Sequence, residues 1–516
     1  MNHSITKVLI ISHDVVDSKM AGPGIRCWEF ARALSGEFAV TLAVPAREAE
    51  GGQAAATNLA SSGFAVQAFQ RAHAESLRDL IAAADVVVAF SYLLADCPWL
   101  AEIEKPLVID TYVPYPLEGL EMNRNLPPDD RLHLGDEGVA VLQTALQAGD
   151  FFLCASEEQR DLWLGLLMAQ GRLNHLTYDA DPTLRRLIDV VPFGLPAEPP
   201  RHTKNVLKGV LPGIAPDDQV VLWGGGIWEW LDPLTLLRAV AQIVPQRPQV
   251  KLVFPGTRHP YAEQVPDMPM RHRALALAQE LGLLERHVFF GQWVPYEDWP
   301  NYLLEADVGV SLHFATVETR FAFRTRLLDY IWAGLPIVAT RGDALSDLIA
   351  AHDLGLLVEA ENVEQLTAAL RLLLDTPNRR AIYRARCQQV TASLTWEAVI
   401  EPLARFCRRP HLAPDKAAWG RTTPEQRVQE AERALRAQQA GHIAGLEQHA
   451  RNLEAVIQAR DEHIAGLQQH ARNLEEIRHD LGQHIANLEA ERAAYQQTIF
   501  YKLYARLRAW RGRLGR

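Results

Sequence analysis

Cysteine is scarce in this chain, and what there is does not pair. Cys27, Cys97, Cys154, Cys387 and Cys407 are the five in 516 residues, and no two of them form a Cys-x-x-Cys. That spacing excludes a zinc ribbon and fits a reducing compartment. A long apolar run is missing too. The most hydrophobic stretch, Ile81–Leu94, is interrupted by Asp85 and falls short of the ~20 residues that span a bilayer. MNHSITK leads straight into an apolar strand, without the basic region, long apolar core and cleavage site of a secretion signal. The expected location is therefore the cytoplasm. Basic charge is not in excess: a net charge of -11 argues against a nucleic-acid partner, which calls for a basic surface.

What is present is ordinary globular material, 48% hydrophobic and 22% charged. At roughly 100–200 residues per domain, the length predicts two or three domains. Short apolar runs recur at Lys7–Ser12, Phe38–Val44, Asp85–Phe90, Leu107–Asp110, Phe151–Ser156 and Leu187–Pro192. Helix-like stretches such as Ile25–Leu34 lie between several of them. Buried strands alternating with helices predict a parallel sheet covered on both faces. Gly194–Asp218, rich in Pro and Gly, reads as a linker. The alternation then restarts, with strands at Gln219–Trp223, Val250–Phe254, His287–Phe290, Val308–Leu312, Pro336–Ala339 and Leu356–Val358. A helix from Thr395 to Cys407, with Trp396, Val399, Ile400, Leu403 and Phe406 on one face, is expected to close this half. The predicted class is α/β: two Rossmann-like doubly wound domains, 1–197 and 198–410, facing across a cleft that is the natural ligand site.

Past Pro410 the composition shifts to Ala, Glu, Gln, Arg and His. A twenty-one-residue repeat begins at His442 and again at His463, with a decayed copy at His484. Ile443, Ala450, Ile457, Ile464, Ala471 and Ile485 take heptad a positions; Leu446, Leu453, Leu467, Leu474, Leu481 and Leu488 take d. This predicts a long helical coiled coil over 411–497, with Arg460, Arg478 and Arg492 intruding on its seam. A single solvated helix is the other reading. Residues 498–516 carry six Lys or Arg and no acidic residue, with Ile499, Phe500, Leu503, Leu507, Trp510 and Leu514 at helical spacing. A basic amphipathic helix of this kind lies on anionic membranes; a continuation of the coil would use the same apolar stripe.

Three segments carry chemistry. Gly22-Pro-Gly24-Ile-Arg26 leads from the first strand into the first helix, where backbone can approach an acceptor or a phosphate. Its spacing is not Gly-x-Gly-x-x-Gly, and no acidic residue follows the second strand in the expected place. A dinucleotide cofactor is therefore poorly supported. Gly224-Gly225-Gly226 directly follows a strand and forms a turn suited to a phosphate, ahead of a helix with Asp232 as cap and Pro233 first. The strongest segment runs from Glu318 to Thr340. Arg320, Arg324 and Arg326 crowd a helix start, where cations oppose the helix dipole unless an anion sits there. Arg324 and Arg326 are candidates to hold a diphosphate, and Asp329 to accept hydrogen bonds from ribose hydroxyls. A surface salt-bridge network around Glu318 and Arg320 is the plainer alternative.

Asp329-Tyr-Ile-Trp-Ala-Gly-Leu-Pro336-Ile-Val-Ala-Thr340 resembles the acidic residue, helix, Gly-x-Pro and strand of the family 4 glycosyltransferases, which have the GT-B architecture. Gly22–Arg26, Val191–Gly194, Gly224–Gly226 and Ala306–Val310 fit the same template in the same order, and the resemblance covers about residues 5–408. It implies transfer of a sugar from a nucleoside diphosphate, with retention and without a required metal or other cofactor. The donor would bind the second domain at Gly225, Gly226, Glu318, Arg324, Arg326 and Asp329. The acceptor, a glycan or a lipid-linked glycan, would bind the first domain near Gly22, Gly24 and Arg26.

Two departures from the family stand out. Of the family's two glutamates seven residues apart, Asp329 takes the second position and Phe321 the first. No Arg or Lys follows the Gly-rich turn, so Arg324 and Arg326 are expected to supply that charge. Together with Asp110, at a strand end toward the cleft, they make the candidate catalytic set, Asp110 as proton acceptor. A catalytically inactive scaffold, a sugar-nucleotide epimerase and a nicotinamide dehydrogenase are the competing readings. The tail is expected to gather copies of the chain or dock a partner enzyme. Its basic end would place them at the inner face of the cytoplasmic membrane, in polysaccharide or glycoconjugate assembly.

Overall fold

A computed structural model describes residues 5–46, 63–71, 75–259, 267–420, 422–461 and 468–513. It divides into two units, Met1–Pro424 and Glu425–Arg516. The first unit holds two parallel sheets. In one, β1 (Lys7–Ile11), β2 (Ala39–Pro45), β3 (Ala65–Phe69), β4 (Val86–Phe90), β5 (Leu107–Asp110), β6 (Phe151–Cys154) and β7 (Ile188–Val190) lie in the order β3-β2-β1-β4-β5-β6-β7. In the other, β8 (Gln219–Trp223), β9 (Val250–Phe254), β10 (Val288–Phe290), β11 (Val308–Ser311), β12 (Ile337–Thr340) and β13 (Gly355–Val358) lie in the order β10-β9-β8-β11-β12-β13. Every pairing is parallel, so each chain direction reverses its order at a switch point, between β1 and β4 and between β8 and β11. Ligands of open α/β sheets bind beyond the carboxyl ends of the strands at such points.

The strands form because their residues are apolar on both faces. Alternate side chains of β1 enter opposite layers. Val8 and Ile10 pack with Phe30 and Leu34 of the helix Gly22–Leu34, while Leu9 and Ile11 pack with Leu77 and Ile81 of the helix Ser76–Ala83. Each such side chain contributes ~1.5–3 kcal/mol on burial. The edge strand β3 lies outside the runs expected from sequence. Its first four residues alternate between exposed and partly covered ahead of the buried Phe69, so it has no continuous buried stretch.

The boundary expected at residue 410 is displaced. Leu195 and Thr395 bridge where the chain crosses between the two domains in each direction. The helix Glu401–Arg408 and the turn of helix before it then lie on the first domain, not the second. Trp396 packs edge-on to Phe30, Phe406 stacks on Phe151 at 5.0 Å, and Arg405 pairs with Asp189. The residues expected to open the coil dock there too. The helix Pro414–Trp419 brings Asp415 to the buried Arg172 at 2.7 Å and Lys416 to Asp150 at 2.7 Å.

The second unit contains helices Pro424–Asp461 and Gln468–Arg513. Ile443, Leu446, Leu453, Leu481, Ile485 and Leu488 are 40% to 53% exposed, so these heptad positions stand uncovered among the described residues. Ile457, Ile464, Leu467, Ala471 and Leu474 fall among side chains outside the described set. Among the described residues, no helix is long and apolar enough to cross a membrane.

Candidate active site

A cavity of about 1060 Å³ opens between the two sheets and takes walls from both. On the first-domain side it begins where β1 ends. Ser12 Oγ donates to the carbonyl oxygen of Asp14 at 2.7 Å, and the Asp14 carboxylate accepts from the Val15 amide at 2.7 Å. This staple presents His13 and Asp14 to the cavity beside Gly22, the first residue of its helix. Gly24 is required by close packing, since a Cβ there would press into the Val15 carbonyl. The His13 ring stacks on Phe90 at 4.1 Å, and burial lowers its pKa to about 3. It is neutral at any ordinary pH. Burial raises the Asp14 carboxyl above the ordinary range, while His259 of the second domain and Arg71 pull it back.

Arg26 and Asp110 lie beneath this wall rather than on it. Arg26 Nε and Nη2 donate to the two Asp110 oxygens at 2.6 and 3.0 Å. Nη2 and Nη1 also donate to the Val191 and Pro192 carbonyls at 2.8 and 3.1 Å. The guanidinium sits 4.4 Å from the Phe30 ring centroid and 4.7 Å from that of Tyr112. Arg26 is 1% exposed with every guanidinium nitrogen in a hydrogen bond, and Asp110 has both oxygens engaged. This geometry engages the two residues expected to bind an anion, Arg26, and to accept a proton, Asp110, with each other. The pair is a buried clamp that fixes the first helix against β5 and the start of the linker.

The second-domain wall is built at the other switch point. Gly225, at φ +83°, lets the turn after β8 reverse in the left-handed region. The Gly224 amide donates to the Tyr330 hydroxyl at 2.6 Å, and that hydroxyl donates to the Val310 carbonyl at 3.0 Å. One tyrosine thus ties the turn to β11. Arg324 and Arg326 flank the start of the helix Thr325–Ala333, which stops at Gly334, φ +63°. Arg326 Nη2 donates to the Gly226 carbonyl at 3.2 Å, and its guanidinium sits 5.0 Å from the Trp223 ring. Arg326 Nη1 and Arg324 Nε are buried without a hydrogen-bond partner. Among the described residues no carboxylate forms an ion pair with Arg326, and burial lowers its pKa to about 10 against the more distant pull of Asp329. Buried guanidinium nitrogens without a hydrogen-bond partner at a cavity wall fit an anionic ligand.

The carboxylates around these arginines differ in role. Glu318 is 2% exposed, lies off the cavity wall, and accepts from Arg324 Nη2 at 2.5 Å. Asp329 lines the cavity and accepts from Trp299 Nε1 at 2.9 Å. Burial raises its pKa to about 7, against the pull of that hydrogen bond and of Arg326. Glu118 of the first domain also lines the cavity, with its pKa raised to about 8 by burial and by Glu318, against Arg324. It carries no motif and was not legible in the sequence. Nor were His13 and Asp14 singled out there, although a polar pair directly after the first apolar strand is a signal that could have found them. Phe321, in place of a family glutamate, has its carbonyl taken by Gln159 Nε2 of the first domain at 2.8 Å.

The comparisons with known proteins fall on this same wall. Residues 213–390 match the family described as Glycosyl transferases group 1. The second domain is thus similar to a group 1 glycosyl transferase domain. The match takes in the glycine turn, Arg324, Arg326 and Asp329. Among curated relatives, a D-inositol 3-phosphate glycosyltransferase of Segniliparus rotundus is 28% identical over 49% of this chain and 54% of its own length. A second protein of that description, from Rhodococcus erythropolis, is 25% identical over 46% of this chain and 52% of its own length. The chain therefore spans about half the length of the curated relatives it matches. Among solved structures, an Anabaena protein in complex with UDP and glucose covers 78% of this chain and 99% of its own at a TM-score of 0.54 and 15% identity. Sucrose-phosphate synthase from Thermosynechococcus elongatus covers 78% and 98% at 0.53 and 16%. At these identities the likeness is one of fold: two parallel-sheet α/β domains like those of GT-B glycosyltransferases.

Proposed function

We propose that the chain is a glycosyltransferase that moves a sugar from a nucleoside diphosphate to a glycan or lipid-linked acceptor, with retention and without a required metal or cofactor. The observation that carries this reading is the convergence of Gly224–Gly226, Arg324 and Arg326 on one wall of an interdomain cavity, with Arg326 in no ion pair with a carboxylate among the described residues. The departing diphosphate gains negative charge as the glycosidic bond breaks. Guanidinium groups already fixed in place stabilise that charge more in the transition state than in the ground state. The acceptor would enter from the first-domain side, past Gly22, His13 and Asp14. Glu118 and Asp329, carboxyls held partly protonated at neutral pH, suit hydrogen bonds to sugar or ribose hydroxyls. With Asp110 engaged by Arg26, the acceptor proton passes to the donor phosphate.

In this reading the tail gathers copies of the chain or docks a partner enzyme. Its basic end rests on an anionic membrane surface, where lipid-linked glycans are assembled. The test is thermal stability against UDP, GDP, ADP, CMP and nicotinamide dinucleotides. Stabilisation by one nucleoside diphosphate alone supports the transferase and names its donor, because a ligand bound only to the folded state stabilises it. No response to any of them overturns the transferase in favour of the inactive scaffold. A response to a nicotinamide dinucleotide overturns it in favour of a dehydrogenase.

A further inference from the structure

We propose that two copies of this chain pair through the heptad helices in parallel and in register, with histidine–glutamate contacts along both flanks that tighten the pair as the pH falls. The inference rests on the self-association suggested above and not on the transferase activity. With Ile443 at a and Leu446 at d, the g positions include His442, His449, His470 and His484. The e positions five residues further on are Glu447, Glu454, Glu475 and Glu489. In a parallel pair, g of one helix faces the following e of its neighbour, so each of these four histidines meets a glutamate on both flanks, while His463, also at g, faces Gln468. An antiparallel pair would set e against e, acid against acid, and the repulsion selects against it. His442, Glu447, His449, His484 and Glu489 are exposed on the described helices, flanking the exposed a and d residues they would border.

The neighbours of these histidines on their own helix leave the titration to the partner. Three and four residues from His442 and His449 stand only Gln, Gly, Leu and Asn; His484 has Asp480 in addition. Arg478 and Arg492, at a positions, keep their charge throughout and add no slope. A histidine whose pKa rises on meeting a glutamate adds stability that is fully present below its free value of ~6.5. That stability is lost as the pH climbs through the raised value. Exposed pairs contribute little singly, but four on each flank accumulate to at least about a tenfold change in dissociation constant.

The experiment measures the mass of the full-length chain by sedimentation at several concentrations, at pH 6 and pH 8. The expected result is a two-chain species whose dissociation constant is at least about tenfold lower at pH 6. Ile443→Cys is expected to form a disulfide-linked dimer under mild oxidation, as only parallel, in-register strands bring that position against itself. Replacing His442, His449, His470 and His484 by Lys should abolish the pH dependence and keep the dimer tight at pH 8. A single-chain mass at both values overturns self-association itself. A dimer that fails to cross-link through Ile443→Cys overturns the parallel register, and one that cross-links without responding to pH overturns the histidine contacts. Nucleotide stabilisation is read separately and moves with none of these outcomes.

Discussion

Asp110 grips Arg26 with both carboxylate oxygens, at 2.6 and 3.0 Å, under the wall of the cavity. The pair is buried, and Arg26 Nη2 and Nη1 also donate to the Val191 and Pro192 carbonyls. Removing one partner leaves the other charged and buried, a loss of roughly 3–5 kcal/mol. Asp110→Asn and Arg26→Ala are therefore expected to lower stability by similar, large amounts in urea unfolding. A proton acceptor would behave differently: Asp110→Asn would then lose turnover while Arg26→Ala kept it. Unfolding curves set beside turnover of the folded fraction separate the two.

Arg326 predicts the opposite balance. Its Nη1 has no partner, and burial already disfavours its charge. Arg326→Ala gives up one hydrogen bond to Gly226 and a contact with the Trp223 ring, while relieving that desolvation. The melting temperature should change little. Stabilisation by the nucleoside diphosphate should fall sharply, and turnover should drop by roughly 10²–10³-fold, the scale of losing one preorganised donor to a developing anion. Arg324→Ala is expected to cost both, because it also orphans the buried Glu318. Unchanged nucleotide binding in the Arg326 variant would remove it from the site.

Much of this architecture was legible because buried parallel strands are continuous apolar runs. Twelve of the thirteen strands coincide with such runs, and Asp232–Pro233 starts its helix as a cap followed by a first-turn proline. The half-exposed β3 escaped for want of that signal. The second-domain wall was readable through its glycines and arginines, whose types are odd for their positions. The roles of Arg26 and Asp110 were not readable, since 84 residues separate them and only the fold reveals that each satisfies the other. Likewise the face of Trp396, Leu403 and Phe406 showed an amphipathic helix but not which domain it would cover. Glu118 becomes notable only when Glu318 and Arg324 are brought near it.

Asp329 and Glu118 make stability depend on pH in an unusual direction. Burial raises their pKa values from 3.8 to about 7 and from 4.5 to about 8. The folded state thus holds protons that the unfolded chain releases, and stability falls as pH rises from the unfolded values through the folded ones. Above about pH 8 both are ionised in the fold and the penalty is complete. Asp329→Asn keeps an acceptor for Trp299 but cannot ionise. With Glu118→Gln it should flatten the loss of melting temperature between pH 5 and pH 8. The double variant should match the parent at pH 5 and exceed it at pH 8. An unchanged slope would show that neither carboxyl is held protonated.

The last prediction concerns where the catalytic unit ends. Asp415 reaches the buried Arg172 at 2.7 Å, Lys416 reaches the fully buried Asp150 at 2.7 Å, and the Ala413 amide donates to the same Asp150 at 2.9 Å. A chain cut after Pro410 strips the carboxylate from Arg172 and the ammonium from Asp150, and removes Ala413 from the core layer it joins. It should be less stable by several kcal/mol, since two buried charges lose their partners. A chain cut after Pro424 keeps every one of these contacts. It should retain the full-length melting temperature and nucleotide response while sedimenting as a single chain at both pH 6 and pH 8. Equal melting temperatures for the two truncations would mean that the segment between them is an ornament on the first domain rather than part of its core.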